Sequence, residues 1–555
     1  MPGSARSTAI ELRAARPLVE RRAFLRWLMG GMGLALTHSL QHLTTVDAAP
    51  APRETVLLIG ANFVLKGLDP GRSIESTSAM INHATYDSLV TYAGADLRTP
   101  TPSLATAWKI SGDGRTFTFA LRPNVRFNSG NVLTAADVKW SFDRILHLQA
   151  NTSFLLDEVE EVLAPDSRTL ILHLRTPTLS ILPILSSPSL GVLDSKIVAE
   201  RGGDAGSEAR QKDQAETYLN ARSAGTGAFV VASYIPNQEV VLVKNPYHWR
   251  GVSPIDRIAI RNIAEPATQA LLLGKGDLDV ATSLGQDQAQ ALRNSPDVVV
   301  EASPVATAFY VVMNVNPNLG GPFADRRVQQ AVRHALDYRG ILALAGPGAV
   351  RLAGLIPAVL PGALPPQDAV NTDRGKARAL LNEAGLGGIK GRLSYASDLT
   401  IRGVRLNLLA QKIQADLATV GINLDLNGLP IGTALQQYRD GRFQIGVWNW
   451  PADYPDASDF LVCLPGGAIG KRAGWLPNSS AAAQALITQA KEAESQQDAG
   501  RRAALYQEVD RALADIGPYV PLFQPAAPYA FRSNLRGVTF NSVWGPDFFS
   551  IRRSG

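Results

Sequence analysis

The residues best suited to chemistry lie in segment 443–456, where two tryptophans precede an aspartate in a proline-bounded loop. Side chains along a strand alternate between two faces, so the apolar residues at 443, 445 and 447 predict a core face. The same alternation puts Trp448 and Trp450 together on the other face. Pro451 has no N–H and is expected to end the ladder, which presents Asp453 at a strand end, where open α/β sheets bind ligands. The alternative is two core tryptophans followed by a capping aspartate.

Sequence motifs for metal binding, phosphate binding and nucleophilic catalysis are absent. The five histidines after residue 48 form no HExxH pattern, and neither a G-x-S-x-G motif nor a phosphate-binding loop occurs. Asp277 and Asp279 could act as paired carboxylates, but their glycine-rich context favours turn and strand-edge positions. A Ser–His–Asp triad built from distant residues stays open, although no pattern indicates one. No cofactor and no metal are predicted.

Composition excludes further classes of protein. The 555 residues are 45% hydrophobic and 19% charged, which argues against global disorder. The single cysteine, Cys463, excludes an internal disulfide and a multi-cysteine zinc site. The net charge of +5 is a weak bias for so long a chain, and blocks of like charge are absent. No nucleic-acid partner is therefore predicted.

Residues 1–48 have the features of an export signal. Arg21 and Arg22 precede Phe-Leu-Arg and an apolar run of about ten residues, followed by small residues near position 48. The pattern resembles a bacterial twin-arginine signal, so we expect the segment to be cleaved and the protein to be periplasmic. A membrane anchor is the alternative, but a span needs about 20 apolar residues.

Strand and helix patterns interleave along the rest of the chain and predict an α/β or mixed α+β class. A strand-like run begins at Val56, and a glycine turn at 112–114 leads into an alternating strand that residues 170–174 repeat. Apolar periodicity and end signals predict four helices, which begin near Asp325, Asp373, Leu406 and Leu505.

Short motifs also follow one another in a defined order. Segment 102–142 contains PSLATAW, DGRTFTF, LRPNVRF and LTAADVKWSF. Further motifs are GTGAF at 225–229, KNPYHWRG at 244–251, LLGKGDLD at 272–279 and PFADRRV at 322–328. Jointly they resemble the family 5 extracellular solute-binding proteins, the dipeptide/oligopeptide type that serves ABC importers. The resemblance extends from about Leu68 to Asp459.

This resemblance implies a periplasmic binding protein-like fold, with two hinged lobes that enclose a ligand and an extra domain. The implied division gives lobe I residues 54–86, 224–305 and 526–555, the extra domain residues 87–223, and lobe III residues 306–525. Within the extra domain, the polar stretch 202–214 is expected to be a surface loop. The implied function is capture of peptides or similar amine-bearing solutes for an ABC permease and ATPase complex, by a monomer without enzymatic activity.

The resemblance also assigns ligand-binding residues. Asp453 takes the position of the aspartate that holds a ligand's α-ammonium, with Trp450 three residues before it. The predicted ligand-binding residues are Trp448, Asn449, Trp450, Ala452, Asp453 and Tyr454. An oligopeptide, another amine-bearing cation and an opine-like compound are all compatible ligands. A sensor or scaffold of the same fold is the alternative function, and an exported hydrolase is a weaker one.

Four positions depart from the family pattern. Pro451 lacks an N–H that could pair with a ligand backbone, and Val447 stands where oligopeptide binders place an arginine. Ala457 replaces a usual proline and Gln329 a usual arginine. These changes leave the implied fold and transport role intact and put the ligand's identity in question.

Overall fold

The computed structural model describes residues 54–554, which contain three large β-sheets. The seven-stranded sheet has the order Val298–Pro304, Ala526–Arg532, Val280–Ala281, Val56–Ala61, Arg257–Asn262, Glu239–Lys244, Phe229–Ile235. The six-stranded sheet has the order Val350–Arg351, Tyr519–Gln524, Thr307–Met313, Ile445–Pro451, Ile389–Ala396, Ile422–Leu429. The four-stranded sheet has the order Ala105–Ile110, Thr116–Leu121, Thr169–Leu174, Val159–Asp166.

Four short two-stranded sheets complete the strands described. They are Val90–Thr91 with Thr101–Pro102, Thr400–Ile401 with Val404–Arg405, Leu535–Arg536 with Arg552–Arg553, and Phe540–Asn541 with Gly545–Pro546. Each large sheet packs on a hydrophobic cluster of its own. The division into two lobes and an extra domain stays a prediction.

Helices lie between the strands, which confirms the mixed α/β class. The α-helices are Ser76–Thr85, Ala135–Leu148, Ile181–Ile184, Ser195–Glu200, Ala209–Lys212, Glu216–Ala221, Pro266–Lys275, Gln286–Leu292, Pro317–Gly320, Arg326–Ala335, Tyr338–Ala345, Arg374–Glu383, Leu406–Ala418, Ile431–Arg439, Ala468–Arg472, Ala481–Ser495 and Ala499–Ile516. The 3₁₀ helices are Ser153–Leu156, Pro188–Leu190, Gly321–Ala324, Pro366–Asp368, Ala457–Cys463 and Phe548–Ser550. Among residues 54–554, no helix has both the length and the apolar character to cross a membrane.

The four predicted helices are confirmed, although the last begins at Ala499, six residues before the expected Leu505. Local chemistry explains where helices begin and end. The side chains of Asp325 and Asp373 accept hydrogen bonds from backbone N–H groups in the first turns of their helices. The helix that starts at Leu406 ends at Ala418, two residues before the expected Val420. Val420 already lies in the turn that leads to Gly421, whose φ of +90° is one that glycine adopts without strain.

The predicted strands are also confirmed. The run from Val56 is the strand Val56–Ala61, and Gly114 turns the chain between Ala105–Ile110 and Thr116–Leu121 with a φ of +70°. In Thr169–Leu174 the three leucines are buried, and His173 lies on the opposite, half-buried face.

The prediction of a surface loop at 202–214 is in part wrong. Residues Ala209–Lys212 form a helical turn, and Asp213 behind it is buried against Arg144 of the helix Ala135–Leu148. Arg144 is fully buried and donates hydrogen bonds of 2.7 and 2.9 Å to Asp69, and of 2.8 and 2.9 Å to Asp213. The polar stretch therefore supplies one carboxylate of a buried ion cluster.

Candidate functional site

The strand Ile445–Pro451 is interior to its sheet, and both of its faces are covered near its start. Ile445 and Val447 are fully buried, as predicted, and Trp448 is buried on the opposite face. The Trp448 ring stacks on Tyr438 with centroids 4.3 Å apart. Trp450 lies on the same face, two residues nearer the strand end, and is only partly buried. Trp448 is thus a core residue behind Trp450.

One edge of this strand becomes open after Gly446. The strand pairs with Ile389–Ala396 only at Ile445 and Gly446, whereas it pairs with Thr307–Met313 along its whole length. The Ala452 N–H donates to the Ala306 carbonyl at 2.7 Å, one residue beyond the pairing of Pro451 with Thr307. Bonded and non-bonded pairs alternate in an antiparallel ladder, so the backbone groups of Asn449 and Pro451 point to the open edge.

This register explains why a proline is tolerated there, and Pro451 is the last residue of the strand, as predicted. Pro451 occupies a position whose N–H would point away from Thr307–Met313, so no bond between the strands is lost. The last hydrogen bond between the two strands comes from the Ala452 N–H, directly after the proline. What the proline removes is a donor on the open edge, where it leaves only a carbonyl acceptor.

Asp453 lies beside a second carboxylate that the sequence interpretation missed. Asp459 Oδ2 accepts hydrogen bonds from the Trp450 indole Nε1 at 2.7 Å and from the Asp453 backbone N–H at 3.2 Å. Burial raises the pKa of Asp453 to about 6. Burial, together with the charge of Asp453, raises the pKa of Asp459 well above its usual value. The local signal was an acidic residue in the first turn of the 3₁₀ helix Ala457–Cys463.

No basic side chain among residues 54–554 forms an ion pair with Asp453 or Asp459. The nearby cation, Arg502, is taken by Asp456, to which it donates hydrogen bonds of 2.7 and 2.8 Å. Burial alone would raise the pKa of Asp456, but the Arg502 guanidinium lowers it. The pair Asp453 and Asp459 is therefore an uncompensated acidic site, of a kind that binds a cation.

A second network holds the loop that carries Asp453. Ser180 Oγ donates to Asp456 at 3.2 Å and lies 2.8 Å from Ser458 Oγ. Arg502 donates to the same Ser180 hydroxyl at 2.9 Å, and the Tyr454 hydroxyl lies 3.2 Å from Ser458 Oγ. Ser180 lies 276 residues before Asp456 in the chain, so the network joins distant segments next to the acidic site.

A cavity of about 90 Å³ is lined in part by Val305. The next residue in the chain, Ala306, accepts the hydrogen bond from Ala452, which directly precedes Asp453. Among residues 54–554, the only strongly basic residue that lines this cavity is Arg402, at the tip of the hairpin Thr400–Ile401 and Val404–Arg405. Arg402 and Gly403 have φ values of +51° and +82°, as a tight hairpin turn requires. Sequence analysis missed Arg402 because it lies in a different hairpin from Asp453.

Other candidate residues lie in structural roles. Asp279 precedes the strand Val280–Ala281 and accepts a hydrogen bond from the Leu58 N–H at 2.8 Å, as its strand-edge prediction requires. His83 stacks on Trp544 with centroids 4.3 Å apart, and burial lowers the pKa of His83 to about 4. Among residues 54–554, no histidine hydrogen-bonds to a serine or cysteine side chain, which does not favour the hydrolase alternative. Arg21 and Arg22 lie outside the described residues.

Comparison with protein families gives a match over most of the chain. The family described as "Bacterial extracellular solute-binding proteins, family 5 Middle" matches residues 99–470. The chain is 27% identical over 512 residues to a probable D,D-dipeptide-binding periplasmic protein, DdpA, of Escherichia coli K12, covering 90% of this chain and 94% of that protein. It is 26% identical to di/tripeptide-binding protein 2 of Pseudomonas aeruginosa, covering 93% and 99% of the two chains.

Solved structures show the same fold. The periplasmic binding protein DppA of Helicobacter pylori, in complex with the peptide STSA, superposes with a TM-score of 0.71 at 23% identity. The match covers 90% of this chain and 98% of that chain. The predicted periplasmic binding protein-like fold is confirmed.

Proposed function

Because the chain belongs to family 5 of the bacterial extracellular solute-binding proteins, we propose that it is the periplasmic substrate-binding protein of an ABC importer. It captures a peptide or a similar amine-bearing solute in a cleft between lobe I (54–86, 224–305 and 526–555) and lobe III (306–525). It then delivers this solute to the permease and ATPase complex. The observation that carries the proposal is the uncompensated acidic pair of Asp453 and Asp459 at the open strand edge.

The two relatives compared above are named as peptide-binding proteins, which supports a peptide as ligand. In our proposal Asp453 receives the ligand's α-ammonium, and Trp450 forms the adjoining wall. The Asn449 N–H on the open edge donates to a ligand carbonyl, as a neighbouring strand would. Arg402, which lines the nearby cavity, suits the carboxylate of a zwitterionic ligand.

The remaining predicted residues have supporting roles in this proposal. Ala452 fixes the loop through its bond to Ala306, Tyr454 closes the loop against Ser458, and Trp448 packs behind Trp450. Residues 1–48 direct export, so the mature protein is periplasmic. In this proposal it acts as a monomer without enzymatic activity.

The test is calorimetry with a panel of free and N-acetylated di- and tripeptides. Removing one partner of a buried ion pair costs about 3–5 kcal/mol, so Asp453→Asn should weaken binding by about two to four orders of magnitude. N-acetylated peptides should bind poorly to the wild type, because acetylation removes the ammonium. Asp440→Asn is the matched control, since Asp440 is exposed and its side chain makes surface contacts with Arg442 and Gln436.

Two results would contradict the proposal. One is an Asp453→Asn variant that binds the same peptide as tightly as the wild type. The other is an unchanged radius of gyration at saturating peptide, because solute-binding lobes close by a hinge motion. Binding of the acetylated peptides alone would remove the amine from the proposal.

A further inference from the structure

Asp459 differs from an ordinary capping or core carboxylate. Its side chain is buried, with a relative exposure of 4%, although it has no cationic partner among residues 54–554. Only Oδ2 is engaged, by the Trp450 indole and the Asp453 N–H. Oδ1 makes no hydrogen bond within the described part of the chain, so one oxygen stays available to a donor in the site.

The groups around Asp459 provide no compensating charge. The titratable residues that face it are Asp453, Tyr454, Asp456 and Cys463, with Arg502 beyond Asp456. Arg502 is neutralised by Asp456, and burial raises the pKa of the Tyr454 hydroxyl and of the Cys463 thiol, which keeps both neutral. The net charge of this corner is therefore set by Asp453 and Asp459.

The open strand edge indicates what kind of group completes the site. Pro451 contributes a carbonyl and no N–H there, and the neighbouring carboxylates also accept hydrogen bonds when ionised. A corner made of acceptors needs donors. A primary ammonium supplies three N–H donors and one positive charge.

We propose that Asp459 is a second specificity-determining residue of the amine site, and that the pair Asp453 and Asp459 holds one proton when the site is empty. The ligand ammonium replaces this proton as the donor between the two carboxylates. The proton passes to solvent, and no covalent bond is made or broken other than the O–H bond of the carboxyl group. This inference rests on the proposed function, because it takes Asp453 as the anchor for an amine.

The physical basis is the repulsion between neighbouring carboxylates. Two like charges in a poorly solvated site cannot both ionise at ordinary pH, so one of them retains a proton. An ammonium at the same place favours the ionised forms, since an opposite charge within about 4–6 Å lowers a carboxyl pKa. Affinity for the amine should consequently rise with pH until the amine itself loses its proton.

The first measurement needs no ligand. In the empty wild type at about pH 6.5, infrared difference spectra against Asp459→Asn should contain the C=O stretch of a protonated carboxylic acid. The other acids whose pKa burial raises, Asp510 and Glu494, are the same in both proteins and therefore cancel in the difference spectrum. Absence of this band from the difference spectrum would overturn the inference whatever the ligand is.

The second measurement is proton release on binding. Calorimetry of the tightest-binding free dipeptide at about pH 6.5, in phosphate and in MOPS, keeps the peptide amine protonated. We expect the wild type to release between about 0.5 and 1 proton per peptide, and Asp459→Asn to release at most about 0.25 while its affinity stays within about tenfold. Asn retains an oxygen for the Trp450 indole, and circular dichroism checks that the variant is folded.

The outcomes separate the two proposals. Tight binding without proton release by the wild type overturns the role of Asp459 and leaves the proposed function in place. Equal proton release by Asp459→Asn does the same. If no free peptide binds the wild type, the proposed function fails, and the role of Asp459 fails with it.

Discussion

We expect the buried ion cluster of Asp69, Arg144 and Asp213 to contribute strongly to stability, because it joins three separate segments of the chain. Asp69 follows the strand Val56–Ala61, Arg144 lies near the end of the helix, and Asp213 comes from the stretch 202–214. Replacing Arg144 by Met keeps most of the side-chain volume and leaves two carboxylates without their main counter-charge. Arg72 remains 3.0 Å from Asp213, so part of the compensation survives.

The size of the effect follows from this burial. Removing one partner of a buried ion pair destabilises a protein by about 3–5 kcal/mol. In a cooperative unit of about 150–250 residues, each kcal/mol lowers Tm by about 2–4 °C, so Arg144→Met should lower it by about 6–20 °C. The control is Lys139→Met on the same helix, whose pair with Asp143 has side-chain exposures of 41% and 22%. Exposed pairs contribute at most about 1 kcal/mol, or less than about 4 °C here.

The assay is thermal unfolding of both variants between about pH 4 and pH 7. Burial alone would raise the pKa of Asp213, but the hydrogen bonds from Arg144 lower this pKa. The ionised Asp213 therefore stabilises the fold fully above the pKa that it has in the unfolded chain. This stabilisation is lost as pH falls through its pKa in the folded protein. In Arg144→Met the stranded carboxylates gain protons as pH falls, so the difference from wild type should shrink toward about pH 4. A deficit no larger than that of Lys139→Met, or one that is independent of pH, would refute the reasoning.

Two further predictions concern the open strand edge and export. Pro451→Ala should change the free energy of unfolding by less than about 1 kcal/mol, because the new N–H points to the open edge. It should tighten peptide binding by about two- to tenfold if the ligand presents a carbonyl there. Weaker binding, measured by calorimetry, would contradict the register. Lys in place of both Arg21 and Arg22 should leave unprocessed protein in the cytoplasm, and a cell-fractionation immunoblot that finds the variant delivered in a strain without the twin-arginine route would contradict the export assignment.

Local features were predictable because their causes lie within a few residues. Asp325 and Asp373 cap helices through bonds to N–H groups two or three positions away, and the leucines at 170, 172 and 174 alternate with a period of two. The burial of Trp448 was not predictable in this way. Alternation assigns it to a face, but whether that face is covered depends on Tyr438, which arrives from a separate helix.

Only the part of the candidate site that lies within one segment could be predicted from the sequence. Asp453 and Trp450 could be named from segment 443–456, whereas Asp459 reaches them only because the chain turns back through a 3₁₀ helix. Arg402 lies 51 positions before Asp453 and reaches the neighbouring cavity from a separate hairpin. Ser180 is more distant still. Sequence spacing does not encode such contacts, because tertiary packing brings the segments together.

The strand register and the acidic pair lead to the same description of the ligand. At Pro451 the open edge offers a carbonyl, and beyond it Asp453 and Asp459 offer carboxylate oxygens, so the proposed site favours a ligand end that is rich in donors. Asn449, two residues before Pro451, has both an N–H and a carbonyl on the same edge. Its N–H is the backbone donor nearest to the acidic pair that could bind a ligand carbonyl. A peptide that begins with a free ammonium meets these requirements in this order. A ligand whose first group is a carbonyl or a carboxylate would instead place an acceptor against acceptors, and the site should reject it.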